Sequence, residues 1–374
     1  MNTKKIMFPD YDKSILSIAA SLLKHYGVTD CPHKTLGQFD EILSKNYKNV
    51  IVMLFDGLGT DAINYHLDEN SFLKQNMLCS VSSVFPPTTT AATTSIQSGY
   101  SPIEHGWLGW DLYFNEIDEN VAVFRNTLQK NGEKAADYNV AGKYIPCKSI
   151  FDRIEEKNSN VKACYLSPFS SPAVESFSDI KQAVLKLAEQ DGRKYIYTYN
   201  PYPDSDMHVF GVTSDVVHRK IIEIDDLVKD ICSRLEDSVV IVTADHGLID
   251  SKMEFLEDYP DLWNMLKRPA SIEPRARSLF VKDGFKEDFK REFNKLFGDK
   301  FILMTKKEVF DSYLFGFGEP HPRAEEFIGD FLAVATDDLT LENYREENPF
   351  IGVHAGIDER EVLVPFIVIE KERK

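Results

Sequence analysis

The sequence predicts an α/β protein, a three-layer α/β/α sandwich on a mostly parallel sheet. Three observations carry that expectation. Short apolar runs alternate with longer amphipathic stretches from about residue 49 to residue 369, the pattern of strands joined by crossover helices. The strongest run, Asn-Val-Ile-Val-Met-Leu-Phe at 49–55, is apolar without alternation, as a strand covered on both faces must be. Finally, 374 residues, 43% of them hydrophobic and 28% charged, suffice to bury about three quarters of the unfolded surface without a disulfide or metal staple.

Further strands are expected at 80–85, 161–166, 195–199, 239–243, 278–281, 331–335 and 364–369. Between 214 and 235 the period turns helical, with Val217, Ile221, Ile224, Val228, Ile231 and Leu235 at three- and four-residue spacing. Ser214 is placed to cap that helix, and Asp215 suits its positive first turn. There is no internal repeat. Segments 105–150 and 251–325 fit the alternation poorly and are expected to be lids or insertions on a single domain spanning 1–374.

Lys+Arg 43 against Asp+Glu 60 gives a net charge of −17, which excludes the basic face of a protein that holds nucleic acid stably. An anionic substrate would therefore need local positive charge. No apolar run approaches the roughly 20 residues of a membrane span, so no membrane partner is expected. The N-terminus turns acidic at Asp10 before an apolar stretch develops, unlike a secretory signal. Cys31, Cys79, Cys147, Cys164 and Cys232 are scattered, which favours reduced core thiols and a cytoplasmic location.

In open α/β sheets the site lies beyond the C-terminal ends of the strands. Those ends here read Asp56-Gly57; Phe85-Pro86-Pro87 followed by Thr88 to Thr94 and a short helix closed by Gly99; Pro203-Asp204-Ser205-Asp206-Met207-His208; and Asp245-His246-Gly247. Gly352-Val353-His354-Ala355-Gly356 precedes the last strand. Singly, each is an ordinary turn, cap or surface pair. Together they gather carboxylates and imidazoles at strand ends and no thiolates. Mixed Asp/His ligation suits zinc or a similar borderline divalent ion, with manganese and iron tolerated.

These blocks, in this order and with His105-Gly106 downstream of Gly99, resemble the alkaline phosphatase superfamily, in particular its type I phosphodiesterase/nucleotide pyrophosphatase branch. The resemblance spans about residues 49–369. It implies a metal-dependent phosphoesterase, most simply a phosphodiesterase or nucleotide pyrophosphatase acting on a small phosphorylated substrate. It implies Thr89 as nucleophile, a covalent phospho-threonine intermediate and two divalent ions, zinc by preference. One ion would be held by Asp56, Asp245 and His246 with the Thr89 oxygen; the other by Asp204, His208 and His354. Two such ions would also resolve the conflict between an acidic chain and an anionic substrate. Asp206 is the rival of Asp204, but the four-residue spacing to His208 favours Asp204.

The sequence departs from the branch directly after the nucleophile. Thr90, Ala91 and Ala92 stand where its phosphodiesterases carry Phe-Pro-Asn, so Thr90 or a backbone amide is expected to serve as donor to the phosphoryl group. Trp107, Trp110 and Tyr113 could stack on a base, although packing within a lid is favoured. Arg275 and Arg277 are expected either to contact a phosphate or to pair with the acidic surface.

Within the superfamily the alternatives are phosphomonoesterase, phosphonate hydrolase and phosphomutase; outside it stands a non-catalytic metal-binding protein. A second outside rival is an NAD-binding oxidoreductase, because Gly57-Leu58-Gly59-Thr60-Asp61-Ala62 matches a dinucleotide fingerprint. That fingerprint expects an acidic residue at the end of the second strand, where this sequence reads Val84-Phe85-Pro86-Pro87.

Overall fold

Six strands form the sheet that positions the site: β1 (Asn49–Phe55), β2 (Met77–Ser82), β3 (Val161–Leu166), β4 (Arg193–Asn200), β5 (Ser238–Thr243) and β6 (Leu363–Lys371). They belong to a computed structural model that describes residues 5–373. Their order in space is β2-β6-β5-β1-β4-β3. β5, β1, β4 and β3 pair in parallel, and β6 runs antiparallel between β2 and β5. The sheet is thus mostly parallel, and β1 at its centre has all seven residues buried.

Helices cover the sheet because their apolar stripes need a partner. Helix α1 (Ile15–His25) packs on α2 (Thr89–Ser98), and both meet the helix Ile150–Lys157. A second group contains α3 (Asp204–Phe210), α4 (Asp215–Arg234) and the helix Phe177–Glu189. The periodic residues predicted for α4, Val217 through Leu235, are all buried, and Ser214 caps it by accepting the Val217 N–H. Among the described residues no helix is long and apolar enough to cross a membrane. All five cysteines are unpaired; Cys164 and Cys232 are buried and the other three are half-buried.

Two strand expectations shift in position, and a third is met in a different sheet. The strand expected at 80–85 is Met77–Ser82, an edge strand whose first four residues are half-buried or exposed; the apolar signal came from Val84 and Phe85, which lie beyond it. Phe85 instead packs into a different core, edge-on to Phe315 at 5.1 Å. The runs expected at 278–281 and 331–335 are strands Ala276–Leu279 and Phe331–Ala335, but they belong to a second sheet.

That second sheet orders seven strands as Phe301–Thr305, Phe331–Ala335, Ala276–Leu279, Ser271–Glu273, Asp111–Phe114, Glu119–Ala122 and Thr127–Leu128, every pair antiparallel. Segments 105–150 and 251–325 both contribute, joined where Ile272 pairs with Asp111. Side chains alternate across it, as strand geometry requires. Phe331, Ala333 and Ala335 pack with Phe289, Phe293 and Phe297, whereas Leu332 and Val334 enter the cluster around Phe85 and Phe114.

Candidate metal centre

The site forms at the C-terminal edge of the parallel strands. Asp56 follows β1, α3 follows β4, Asp245 and His246 follow β5, Thr89 opens α2, and the loop 352–356 brings in His354. Thr89 Oγ1 lies 3.4 Å from Asp56 Oδ2 and 3.3 Å from His246 Nε2. His246 Nε2 lies 3.3 Å from Asp56 Oδ1 and 3.6 Å from Asp245 Oδ2. One turn of α3 sets His208 Nε2 3.2 Å from Asp204 Oδ2. Two groups offer ligand atoms within 4.8 Å of one another: Asp204, His208 and His354, and Asp56, Asp204 and His246. Asp204 therefore reaches both. The rings of His246 and His354 stack at 3.8 Å, which holds the groups side by side. Asp206 enters neither group, and neither does Asp245, whose Oδ1 accepts from Gly57 N–H at 3.1 Å and His246 N–H at 3.0 Å.

Each imidazole is oriented by a backbone carbonyl. His208 Nδ1 lies 2.7 Å from Gly352 O, His246 Nδ1 3.2 Å from Gly247 O and His354 Nδ1 3.2 Å from Pro87 O. A carbonyl only accepts, so each Nδ1 carries a proton, and Nε2 is the atom that faces the site. For His246 that atom meets the oxygens of Asp56 and Asp245. Asp56 Oδ1, Asp204 Oδ1 and Asp245 Oδ2 are enclosed without a hydrogen-bond partner. Buried acceptors facing acceptors are unfavourable unless a cation sits between them. The donor set fits divalent metal on that ground.

The electrostatics point the same way. Burial, then the charges of Asp245 and Asp204, holds the Asp56 carboxyl well above its ordinary range. Burial also raises Asp245, against the pull of His246. Burial would raise Asp204 too, but the charge and hydrogen bond of His208 above all carry it down to about 2. Burial, then His246, holds His354 well below the imidazole range, so its ring is neutral.

Three glycines let the loops meet. Gly57 adopts φ +72°, and a Cβ there would stand 2.8 Å from Asp204 Cβ; one on Gly59 would stand 2.6 Å from Gly247 Cα. Gly247 is tighter still, because a Cβ there would collide with the Arg360 carbonyl oxygen. The match to a dinucleotide fingerprint therefore reflects loop crossing at the site.

Other expectations resolve one by one. Ala91 and Ala92 are fully buried in the main core and cannot touch a substrate. Thr90 is fully buried and its hydroxyl has no partner. Trp107 donates its indole N–H to Ile145 O at 2.9 Å and packs beside Phe124, Trp110 also lies beside Phe124, and Tyr113 lies under Arg268 at 3.6 Å. All three pack within the second sheet's surroundings. Arg275 and Arg277 are fully buried, so the expected pairing with acidic groups is found, but made by interior arginines rather than on the surface. Arg275 forms a bidentate pair with Glu361 at 2.8 and 2.7 Å and reaches the carbonyls of Asp337 and Leu339. Arg277 binds Leu341 O and Glu342.

Sequence reasoning missed four supporting groups. Tyr199 donates its hydroxyl to Asp56 Oδ2, and Ser83 donates to the Asp245 carbonyl. Glu361, paired with Arg275, accepts from Gly356 N–H at 2.8 Å while its carbonyl accepts from Gly247 N–H at 2.9 Å. It thus braces the loops bearing His354 and His246 together. Glu273 accepts from the Thr88 hydroxyl at 2.6 Å and from Trp110 N–H at 2.7 Å, and burial pushes its carboxyl up to about 8 against the Thr88 hydrogen bond. Tyr199 stood at a strand end and could have been found there. Glu273 and Glu361 lie in stretches read only for arginines or strands.

The type I phosphodiesterase / nucleotide pyrophosphatase family profile matches residues 50–358. The fold is similar to murine ectonucleotide pyrophosphatase/phosphodiesterase 5, with a TM-score of 0.66 and 16% identity over 86% of this chain and 88% of that one. An inactive form of that murine protein was solved in complex with AMP, and superposes with a TM-score of 0.65 at 15% identity over 86% and 87% of the two chains. Phosphonoacetate hydrolase from Sinorhizobium meliloti 1021, in complex with phosphonoformate, gives 0.62 at 17% identity over 86% and 89%. No curated protein sequence matches the chain.

Proposed function

The chain belongs to the type I phosphodiesterase / nucleotide pyrophosphatase family and is a metal-dependent hydrolase of phosphoric esters; from that premise we propose that it cleaves a small phosphodiester in two displacements through Thr89. The observation that carries this reading is the Thr89 hydroxyl set between Asp56 and His246 amid buried, unpartnered carboxylate oxygens. Asp56, Asp245 and His246 would hold one divalent ion with the Thr89 oxygen, and Asp204, His208 and His354 the other, zinc being favoured by the ligand types. When bound, the ions would lower the pKa of the Thr89 hydroxyl and neutralise charge on the phosphoryl and leaving oxygens.

The chain's own groups supply the rest. Thr89 Oγ1 forms the new bond to phosphorus as the bond to the leaving oxygen breaks, and that oxygen departs with a proton. Water then attacks the phospho-threonine, the Thr89 Oγ1–phosphorus bond breaks, and Thr89 recovers its proton. Thr89 is the first residue of α2, so the unshared first-turn amides and the helix dipole favour the phosphoryl oxygens there. Those amides are our candidates for the donor the sequence lacks. The murine relative's AMP complex supports a nucleotide as substrate class. The five unpaired cysteines support a reducing, cytoplasmic setting.

The test is kcat/KM of zinc-loaded protein on bis-p-nitrophenyl phosphate and p-nitrophenyl phosphate. A diester preference is expected. A monoester preference makes the protein a phosphatase, and silence on both with two ions bound shifts the reading to phosphonate hydrolysis, phosphomutase or a non-catalytic role.

A further inference from the structure

Glu273 comes from the second sheet, at the end of Ser271–Glu273, yet it reaches the start of the helix that carries Thr89. Its Oε1 takes both the Thr88 hydroxyl and the Trp110 N–H. Thr88 precedes α2 at the cap position, and its side chain makes no cap bond to the helix because it is committed to Glu273. Glu273 is 4% exposed. Its Oε2 makes no hydrogen bond and is nevertheless not one of the sealed-in unpartnered atoms. That oxygen therefore borders accessible space beside the N-terminus of α2. A buried carboxyl thus stands against Thr88, the residue next to Thr89.

We propose that Glu273 is a specificity-determining residue whose carboxylate, ionised at alkaline pH, disfavours a second negative charge on the bound phosphoryl group there and so selects diesters over monoesters. The proposal rests on the phosphoesterase reading above. A diester carries one charge and a monoester two at alkaline pH, and like charges facing one another in a dehydrated site repel strongly. The two hydrogen bonds on Oε1 hold the carboxyl in place, so it cannot swing away from a dianion.

The experiment compares zinc-loaded full-length wild type with Glu273→Gln, which keeps the Oε1 acceptor and removes the charge, and Glu273→Asp, which keeps the charge. All measurements are made at pH 9, above the value of about 8 to which burial pushes this carboxyl, so that it is ionised. Calorimetry gives the Kd of inorganic phosphate, a dianion at that pH, and of dimethyl phosphate, a monoanion; the two nitrophenyl esters give the ratio of kcat/KM. Glu273→Gln should bind phosphate about tenfold more tightly with dimethyl phosphate within about twofold, and its diester-to-monoester ratio should fall about tenfold. Glu273→Asp should keep the wild-type ratio. If both variants lose both esters alike and phosphate binding does not tighten, the carboxyl is only a structural bolt and the proposal is overturned. Should Glu273→Gln not fold, wild type must bind dimethyl phosphate at least as tightly as phosphate; the reverse order overturns the proposal. Wild type inactive on both esters would sink the phosphoesterase reading, while the phosphate titration would still decide the charge.

Discussion

The two sheets divide the labour. The mostly parallel sheet ends in the loops that bear Asp56, Asp204, His208, Asp245 and His246, and its last strand follows the loop of His354. The antiparallel sheet adds none of these; it contributes Arg275, which fastens Glu361, and Glu273, which fastens Thr88. The difference teaches where each kind of substitution should act. Changes in the first sheet's loops should remove chemistry and spare the fold. Changes in the second should alter stability or selectivity and spare the chemistry.

The sharpest way to break that division is Thr89→Ala, which should lower kcat at least about 10³-fold with the melting temperature of the metal-loaded protein within a few degrees of wild type. Activity within tenfold of wild type would remove Thr89 from its role. Next is Asp204→Asn. Because Asp204 belongs to both ligand groups, bound metal measured by elemental analysis should fall from two ions to one or fewer, whereas Asp206→Asn should keep both. On the other side, Arg275→Met leaves the fully buried Glu361 carboxylate without its partner and should cost about 3–5 kcal/mol in denaturant unfolding. Loss of activity without loss of stability in that variant would mean the second sheet takes part in the chemistry.

A smaller effect concerns protons. The Asp56 and Asp245 carboxyls are raised in the metal-free fold, so above the ordinary carboxylate range that fold binds more protons than the unfolded chain. The stability these two carboxyls contribute should therefore fall as pH rises from about 4, while that from His354, held below the imidazole range, grows up to about 6.5. Metal uptake should displace these protons, so affinity should strengthen with pH, and calorimetry in buffers of different ionisation enthalpy should register proton release. Uptake with no proton exchange would contradict the raised carboxyls. Smallest of all, Tyr199→Phe removes one hydrogen bond to Asp56 and should cost about 1.5–3 kcal/mol of transition-state or metal-binding free energy, the worth of a bond to a charged group.

The same division explains what the sequence showed. β1, β4 and β5 are buried in long runs, so their ends, and with them the positions of Asp56, Asp204, His208, Asp245 and His246, could be read from apolar patterning. β2 could not, because an edge strand half open to solvent has no continuous run, and Phe85 lent its signal to the wrong core. The second sheet was opaque for another reason: its strands are two to five residues long, and partners such as Ile272 and Asp111 come from distant segments. Short, non-local pairing leaves no period to detect. Glu273 and Arg275 acquire meaning only once that pairing is made, which is why both arginines were read as surface or phosphate-facing.

The crossing of Gly59, Gly247 and the Arg360 carbonyl has a consequence for redesign. Two ligand-bearing loops and the entry to β6 pass with no room for one methyl group, so they form a single mechanical part that can be transplanted whole or not at all. An engineer seeking new substrates would leave that knot alone and vary the antiparallel sheet, where residues such as Trp110 can change without touching it.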